Sequence, residues 1–399
     1  MEMVVSASGG SPMPRLVLVL CLLAAPASAQ PGPARARDLG IPFPFGVPGR
    51  WNAITDVAGV EVGHVTLVAG EAVRTGVTVV LPRGRSEAAR TPCFGAVVSL
   101  NGNGEMTGAH WVRESGLVEG PIALTNTNAV GVVRDAIIDY AARRWPPAGT
   151  GSTVWSLPVV AETWDGTLND IYGRHVKAEH LFAAIEAARP GPVAEGGVGG
   201  GTGMVCHEYK GGIGTASRVL PEGDGAYTVG VLVQANHGRR EQLRIAGLPV
   251  GRELRDGLVR EEEAGSIIIV VATDAPLLPH QLERLGRRAA LGLARTGSVA
   301  GNGSGDLFLA FSTANPALDE SRRTLTLTML PNDRMNPLFE ATVGATEEAV
   351  VNALVAGRTT RGFRGRTVHG LPHERVREIL ERHGLLAGRV SKRPVAGHR

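Results

Sequence analysis

From Ile267 to Ala272 the chain is unbrokenly apolar and mostly β-branched, and it is preceded by the acidic run Glu261–Glu263 and then Ala264, Gly265 and Ser266. A run of this kind between turn residues predicts a strand buried on both faces. Ser266 then sits at the mouth of a core strand, behind a flexible glycine. Two readings of that junction stand side by side. Ser266 is either a polar residue where a loop enters a strand, or a new N-terminus released by scission of the Gly265–Ser266 bond.

Other segments fall into place around this strand. Short Val-rich runs alternating with Gly predict strands at Val60–Val62, His64–Val68 and Val77–Leu81. Further strands are expected at Gly95–Leu100, Pro121–Leu124, Tyr227–Gln234 and Leu307–Phe311. Polar or Gly-rich turns flank several of them, including Asn101–Gly104, Thr125–Asn128 and Gly301–Asp306. Helical spacing predicts helices over Gly108–Gly116, Val130–Arg144, Ala178–Ala188, Pro337–Ala356 and His373–His383. Another starts at Pro279, with Gly297 as its C-cap. Strands and helices alternate without a regular βαβ period, which predicts an α/β or α+β fold with helices covering buried sheets.

Composition narrows the function classes. The 399 residues carry a formal net charge of only +3, and the basic groups are almost all Arg. Without a dense basic block interleaved with aromatics, nucleic-acid binding is not expected. Arg15, the apolar run Leu16–Ala25 and Ala27-Ser28-Ala29 read as an export signal cleaved after Ala29, which is complete from Met13 as well. That run is too short to span a membrane, so no membrane association is expected once it is removed. Cys21 leaves with it, and Cys93 and Cys206 remain, free to pair or not in an exported protein. No paired cysteine spacing points to structural zinc. The glycine-rich stretch Glu195–Gly203 lacks a dinucleotide-binding spacing and reads as a close-approach or flexible loop.

Familiar catalytic signatures are missing. There is no G-x-S-x-G elbow, no H-E-x-x-H and no phosphate loop, and His207-Glu208 has no partner His at helical spacing. What remains is Ser chemistry without His. An N-terminal Ser can use its own α-amine as the base, since that amine titrates near ~8. Gly265, the strand Ile267–Ala272 and a polar loop at Asn236 or Asn302 supply what such a site needs: a flexible residue before the Ser, a rigid mount behind it and an oxyanion donor.

Several ordered segments carry a resemblance. They are Arg37–Ile41, Asn52–His64, Ser99–Gly108, Leu124–Gly131, Glu162–Gly166 and Gly301–Asp306. In this order they resemble the DmpA-type family of L-aminopeptidase D-amidase/D-esterases and β-peptidyl aminopeptidases, over nearly the whole mature chain. The resemblance implies a four-layer α-β-β-α sandwich like that of N-terminal-nucleophile hydrolases, with different connectivity. It also implies one catalytic domain, residues 30–399, that cuts itself into 30–265 and 266–399, needs no cofactor and assembles as a homotetramer of processed pairs.

Residue by residue, the resemblance makes Ser266 the nucleophile, with Ser304 and Asp306 orienting it and its amine. Relatives often carry Glu at the position of Asp306. Asn236 matches the oxyanion-hole asparagine, a kind of donor whose loss typically costs ~10²–10³ in turnover. Glu162 matches the acid that binds the substrate's free amine. Trp164 falls where some relatives have Tyr, and its indole N–H can donate but not accept. The function implied is a self-processing, exported serine aminopeptidase or amidase acting on short peptides, amides or esters. Its rivals are an acyltransferase resembling ornithine acetyltransferase, which would use Thr at the processed end, and a non-catalytic exported small-molecule binder.

Overall fold

A computed structural model describes residues 34–87, 91–144, 156–258, 265–315 and 323–386. The export signal, the acidic run Glu261–Ala264 and the basic tail lie outside the described residues. In chain order the elements are β1 (Glu61–Ala69), β2 (Val73–Leu81), α1 (Gly84–Glu87), β3 (Cys93–Gly102), α2 (Ala109–Ser115), β4 (Leu117–Val118), β5 (Ile122–Asn126), α3 (Val130–Arg144), β6 (Val159–Thr163), α4 (Ala178–Glu186), β7 (Val205–Cys206) and β8 (Tyr209–Lys210). They continue with β9 (Gly212–Val219), β10 (Thr228–Asn236), β11 (Gly265–Thr273), α5 (Pro279–Arg295), β12 (Ser304–Ser312), α6 (Asn336–Ala356) and α7 (His373–Arg382).

The strands form a six-stranded sheet in the order β4-β3-β12-β11-β10-β9 and a four-stranded sheet in the order β1-β2-β5-β6. Side-chain alternation in β11 accounts for the layering. Ile267, Ile269 and Val271 pack into a core shared with α5 and α6. Ile268, Val270 and Ala272 point the other way, into a core shared with β5 and β6 of the second sheet. A third core lies between the four-stranded sheet and α3 and α4. The result is the expected α-β-β-α sandwich. The parallel pair β11–β12 is joined through α5, the helical crossover that parallel pairing requires.

The structure refines several expectations. The two short strands at Val60–Val62 and His64–Val68 are one strand, β1. β9 was not expected, because its Gly, Thr, Ser and Arg residues hide a strand that is nonetheless almost wholly buried. Residues 195–203 are a close-approach segment. A Cβ on Gly200 would lie 2.1 Å from Gln234 Oε1 and 2.7 Å from the Leu124 carbonyl oxygen, so only glycine fits between the sheets there. Cys93 and Cys206 are both buried and neither is in a disulfide. They lie in different cores, on opposite sides of the six-stranded sheet, so the possible disulfide does not form.

A buried ion cluster fastens α6 to β9 and to the N-terminal segment. Glu348 pairs with Arg218 at 2.8 Å, both side chains being fully buried, and with Arg37 at 2.7 Å. Burial opposes ionisation of Glu348. The Arg37 hydrogen bonds and the Arg218 charge outweigh it and hold the carboxyl below the usual range. A depressed carboxyl contributes stability above its unfolded pKa and loses it as pH falls through its folded pKa. Removing one member of such a cluster leaves an uncompensated buried charge. Glu348→Ala is therefore expected to cost about 3–5 kcal/mol in urea denaturation at neutral pH, with a smaller difference from wild type in acid.

Candidate active site

β10 ends, and β11 and β12 begin, at the same edge of the six-stranded sheet. Strand register sets Ser266 opposite Asn236 on β10 and opposite Gly305 on β12. Ser266 Oγ accepts a hydrogen bond from the Gly305 N–H at 3.1 Å. Gly265, just before it, has φ of +151°, a conformation that favours glycine. The residue preceding Ser266 is thus glycine for a backbone reason as well as for flexibility.

Ser304 and Asp306 flank Gly305. The Ser304 hydroxyl donates to Asp306 Oδ1 at 2.5 Å, and both residues are buried. Alternation places their side chains with Phe308 on the helix-facing side, whereas Ser266 shares the inter-sheet side with Ile268. The expected cluster is therefore present, but Ser304 and Asp306 bond to each other rather than to Ser266 Oγ. Register sets Ser304 opposite Gly265, next to the nitrogen of Ser266.

Asn236 is fully buried. Its Oδ1 accepts from the Val205 N–H at 2.8 Å, and its Nδ2 donates to the Trp164 carbonyl at 3.0 Å. That pairing fixes the amide orientation and leaves the second Nδ2 hydrogen for another acceptor.

Glu162 reaches the site from the other sheet. Residues 105–107 run beside β6, and Glu162 Oε1 accepts from the Glu105 N–H at 3.0 Å, while Thr127 Oγ1 donates to Oε2. A methyl group on Gly104 would lie 3.3 Å from both Glu162 Oε1 and the Gly305 Cα. The carboxylate and the Ser266 holder thus flank one glycine. Burial raises the Glu162 pKa, partly offset by the Thr127 and Glu105 hydrogen bonds. Trp164 is 41 % exposed, so it lies at the surface instead of filling the core.

Sequence reasoning missed the backbone and hydroxyl partners: the Gly305, Val205 and Glu105 N–H groups and Thr127. The first three act through the main chain and leave no side-chain signal. Thr127 lay within the predicted polar turn Thr125–Asn128, whose first two residues are in fact the end of β5. The end of β3 and the residues just after it are also part of the site's frame, since Asn101 Nδ2 donates to the Gly301 carbonyl at 2.7 Å and Asn103 Nδ2 to the Gly303 carbonyl at 3.0 Å.

A serine heading a doubly buried strand of an α-β-β-α sandwich, with a carboxylate and an amide beside it, fits a hydrolase of that class. The chain belongs to peptidase family S58, whose sequence profile matches residues 52–368. It is 51 % identical over 375 residues to the β-peptidyl aminopeptidase BapA of Sphingosinicella microcystinivorans, covering 88 % of this chain and 92 % of that one. Among solved structures, a Burkholderia sp. β-aminopeptidase superposes with a TM-score of 0.81 at 50 % identity, covering 89 % of this chain and all (100 %) of that one. The L-aminopeptidase D-Ala-esterase/amidase of Ochrobactrum anthropi, described as a prototype serine aminopeptidase and a variant of the Ntn hydrolase fold, gives 0.84 at 45 % identity. That match covers 88 % of this chain and 99 % of that one. The protein is a peptide-bond hydrolase on this variant of the N-terminal-nucleophile fold.

A Cβ on Gly305 would lie 2.4 Å from the Asn103 carbonyl oxygen and 2.9 Å from the Gly104 Cα. Because both are backbone atoms, Gly305→Ala must displace the strand that holds Ser266. It is expected to destabilise the protein by about 1–3 kcal/mol in chemical denaturation. Turnover should fall more than stability alone explains, measured with an amino-acid p-nitroanilide well below the melting temperature.

Proposed function

We propose that this protein is a self-processing serine aminopeptidase and amidase whose nucleophile is Ser266. The observation that carries the reading is the mounting of Ser266 at the head of β11, with the Gly305 N–H on its Oγ, Asn236 across the strand and the Glu162 carboxylate beyond Gly104. In processing, Ser266 Oγ attacks the Gly265 carbonyl carbon. Its proton passes to the Ser266 nitrogen as the C–N bond breaks, and water hydrolyses the ester that results. The products are the chains 30–265 and 266–399.

Cleavage leaves a free amine on Ser266 at the position that register sets beside Ser304. In turnover that amine takes the Oγ proton while Oγ attacks the substrate's acyl carbon. The spare Nδ2 hydrogen of Asn236 stabilises the oxyanion. The leaving amine departs with a proton, and water then releases the acid. The Ser304–Asp306 hydrogen bond orients the amine, and no metal or organic cofactor enters these steps.

Glu162 pairs with the ammonium of the substrate's first residue and Trp164 forms a wall of the opening. The names of the relatives put β-amino-acid amides first among substrates, with L-amino-acid amides and D-alanine esters next. We infer export after cleavage at Ala29 from the N-terminal segment, and a homotetramer of processed pairs from the family resemblance. Among the described residues no helix is long and apolar enough to cross a membrane.

Because burial raises the Glu162 pKa, its carboxylate loses charge as pH falls through a value above 4.5. KM for free-amine substrates should therefore rise on the acid side, at a pH above the ordinary Glu range. Glu162→Gln should raise KM at neutral pH about 10–100-fold, the loss of a charged hydrogen bond of ~1.5–3 kcal/mol. It should also abolish the acid rise and narrow the preference over N-acylated substrates. The check is KM against pH on a panel of free and N-acetylated β-, L- and D-residue amides. Acyl transfer to an added amine at the expense of hydrolysis would favour the acyltransferase reading instead.

A further inference from the structure

Behind Asn236, a second cluster of reactive side chains takes no part in the chemistry above. β7 and β8 form a hairpin whose turn is His207-Glu208, with φ of +46° and +60°. Two-residue turns with both central residues in this region are normally Asn-Gly. Here a His and a Glu hold the strained conformation, and strain of this kind marks functional positions. The turn carries His207 back toward the end of β10. Gly238 leaves room for it, since a Cβ there would lie 2.5 Å from the ring. The His207 and His237 rings meet edge to face with centroids 5.0 Å apart. Cys206 Sγ lies 3.8 Å from His237 Nδ1. One donor atom from each of Cys206, His207 and His237 lies within 4.8 Å of the other two, and all three residues are buried.

The tautomer of His207 follows from its partner. Nδ1 is 3.0 Å from the Arg239 carbonyl oxygen, which can only accept. Nδ1 therefore carries the proton and Nε2 presents a lone pair. Among the described residues that buried Nε2 has no hydrogen-bond partner. An imidazole that donates one nitrogen to a backbone carbonyl and offers the other is the usual state of a metal-ligating His. Around a tetrahedral ion with metal–sulfur bonds of ~2.3 Å and metal–nitrogen bonds of ~2.05 Å, sulfur and nitrogen ligands stand ~3.6 Å apart. The Cys206–His237 spacing of 3.8 Å is close to that value.

We propose that Cys206, His207 and His237 form a binding site for one thiophilic metal ion, Zn²⁺ or Cu⁺, that staples the β7–β8 hairpin to the end of β10. A thiolate with two imidazoles selects these ions over Mg²⁺, Ca²⁺ and Mn²⁺. Binding replaces the Cys206 thiol proton, which leaves to solvent. The ion takes no part in the hydrolytic steps. Its effect on the active site is positional, because Val205 and Asn236, which share the 2.8 Å hydrogen bond, each immediately precede a ligand. Occupancy locks that bond and with it the donor beside Ser266.

The test uses the purified full-length protein under reducing conditions, stripped with a chelator and desalted. Zn²⁺ alone, or Cu⁺ alone as a weak complex, is added and excess removed. Bound metal is counted by mass spectrometry and thermal melting followed. Co²⁺ serves as the spectroscopic probe. The expected result is one equivalent of Zn²⁺ or Cu⁺ per polypeptide of this sequence, a raised melting temperature that the chelator reverses, and a thiolate-to-cobalt charge-transfer band. Cys206→Ser should lose all three. His207→Asn, which keeps a residue suited to the positive φ, should weaken retention at least tenfold while melting like the stripped wild type. Failure of the stripped wild type to retain either ion would overturn the proposal. Retention and a charge-transfer band that persist in Cys206→Ser, or are unchanged in His207→Asn, would do the same. Because the readouts are stoichiometry, melting and absorption, the result is independent of whether Ser266 is the nucleophile.

Discussion

The structure depends on burying β11 on both faces. Its alternate side chains serve two cores at once, one under α5 and α6 and one between the sheets. An unbroken apolar run satisfies both and anchors the strand up to its head. Ser266 inherits that rigidity. The same constraint sets its neighbours, since antiparallel pairing on one side brings Asn236 and parallel pairing on the other brings Gly305. A nucleophile needs to be held within a fraction of an ångström of its working geometry. The mount of Ser266, the proposed nucleophile, is a central strand, which opens far less readily than a loop.

The polar groups of the site meet the cost of burial differently. Glu162 accepts two hydrogen bonds and has no cationic partner among the described residues, and burial raises its pKa. Glu348 lies in the same fold with two arginines and has the opposite shift. The contrast is one of partners: hydrogen-bond donors alone at Glu162, two guanidinium groups at Glu348. Asn236 likewise uses one oxygen and one hydrogen for support and keeps one hydrogen spare.

Much of this was legible in the sequence. The run Ile267–Ala272 announced the central strand, and the ordered motifs pointed to the peptidase family and to the α-β-β-α sandwich. β9 stayed hidden because its residues are small or polar, and its burial comes from neighbours distant in sequence. The Gly305 and Glu105 N–H groups were invisible because any residue type carries them. Cys206, His207 and His237 did not read as a cluster because the pairing of β7 and β8 beneath β10 closes a gap of some thirty residues that no local spacing encodes. The relation of Ser304 and Asp306 to Ser266 was foreseen as proximity, but strand alternation decides which atoms face one another, and that needed the register.

Scission at the head of β11 is the central claim, and intact-mass measurement with N-terminal sequencing of the purified protein tests it most directly. The account predicts two chains for the wild type, the smaller beginning Ser266-Ile267-Ile268-Ile269, and one uncut, inactive chain for Ser266→Ala. A fully active wild type that remains a single chain, or a Ser266→Ala protein still cut between residues 265 and 266, would contradict it.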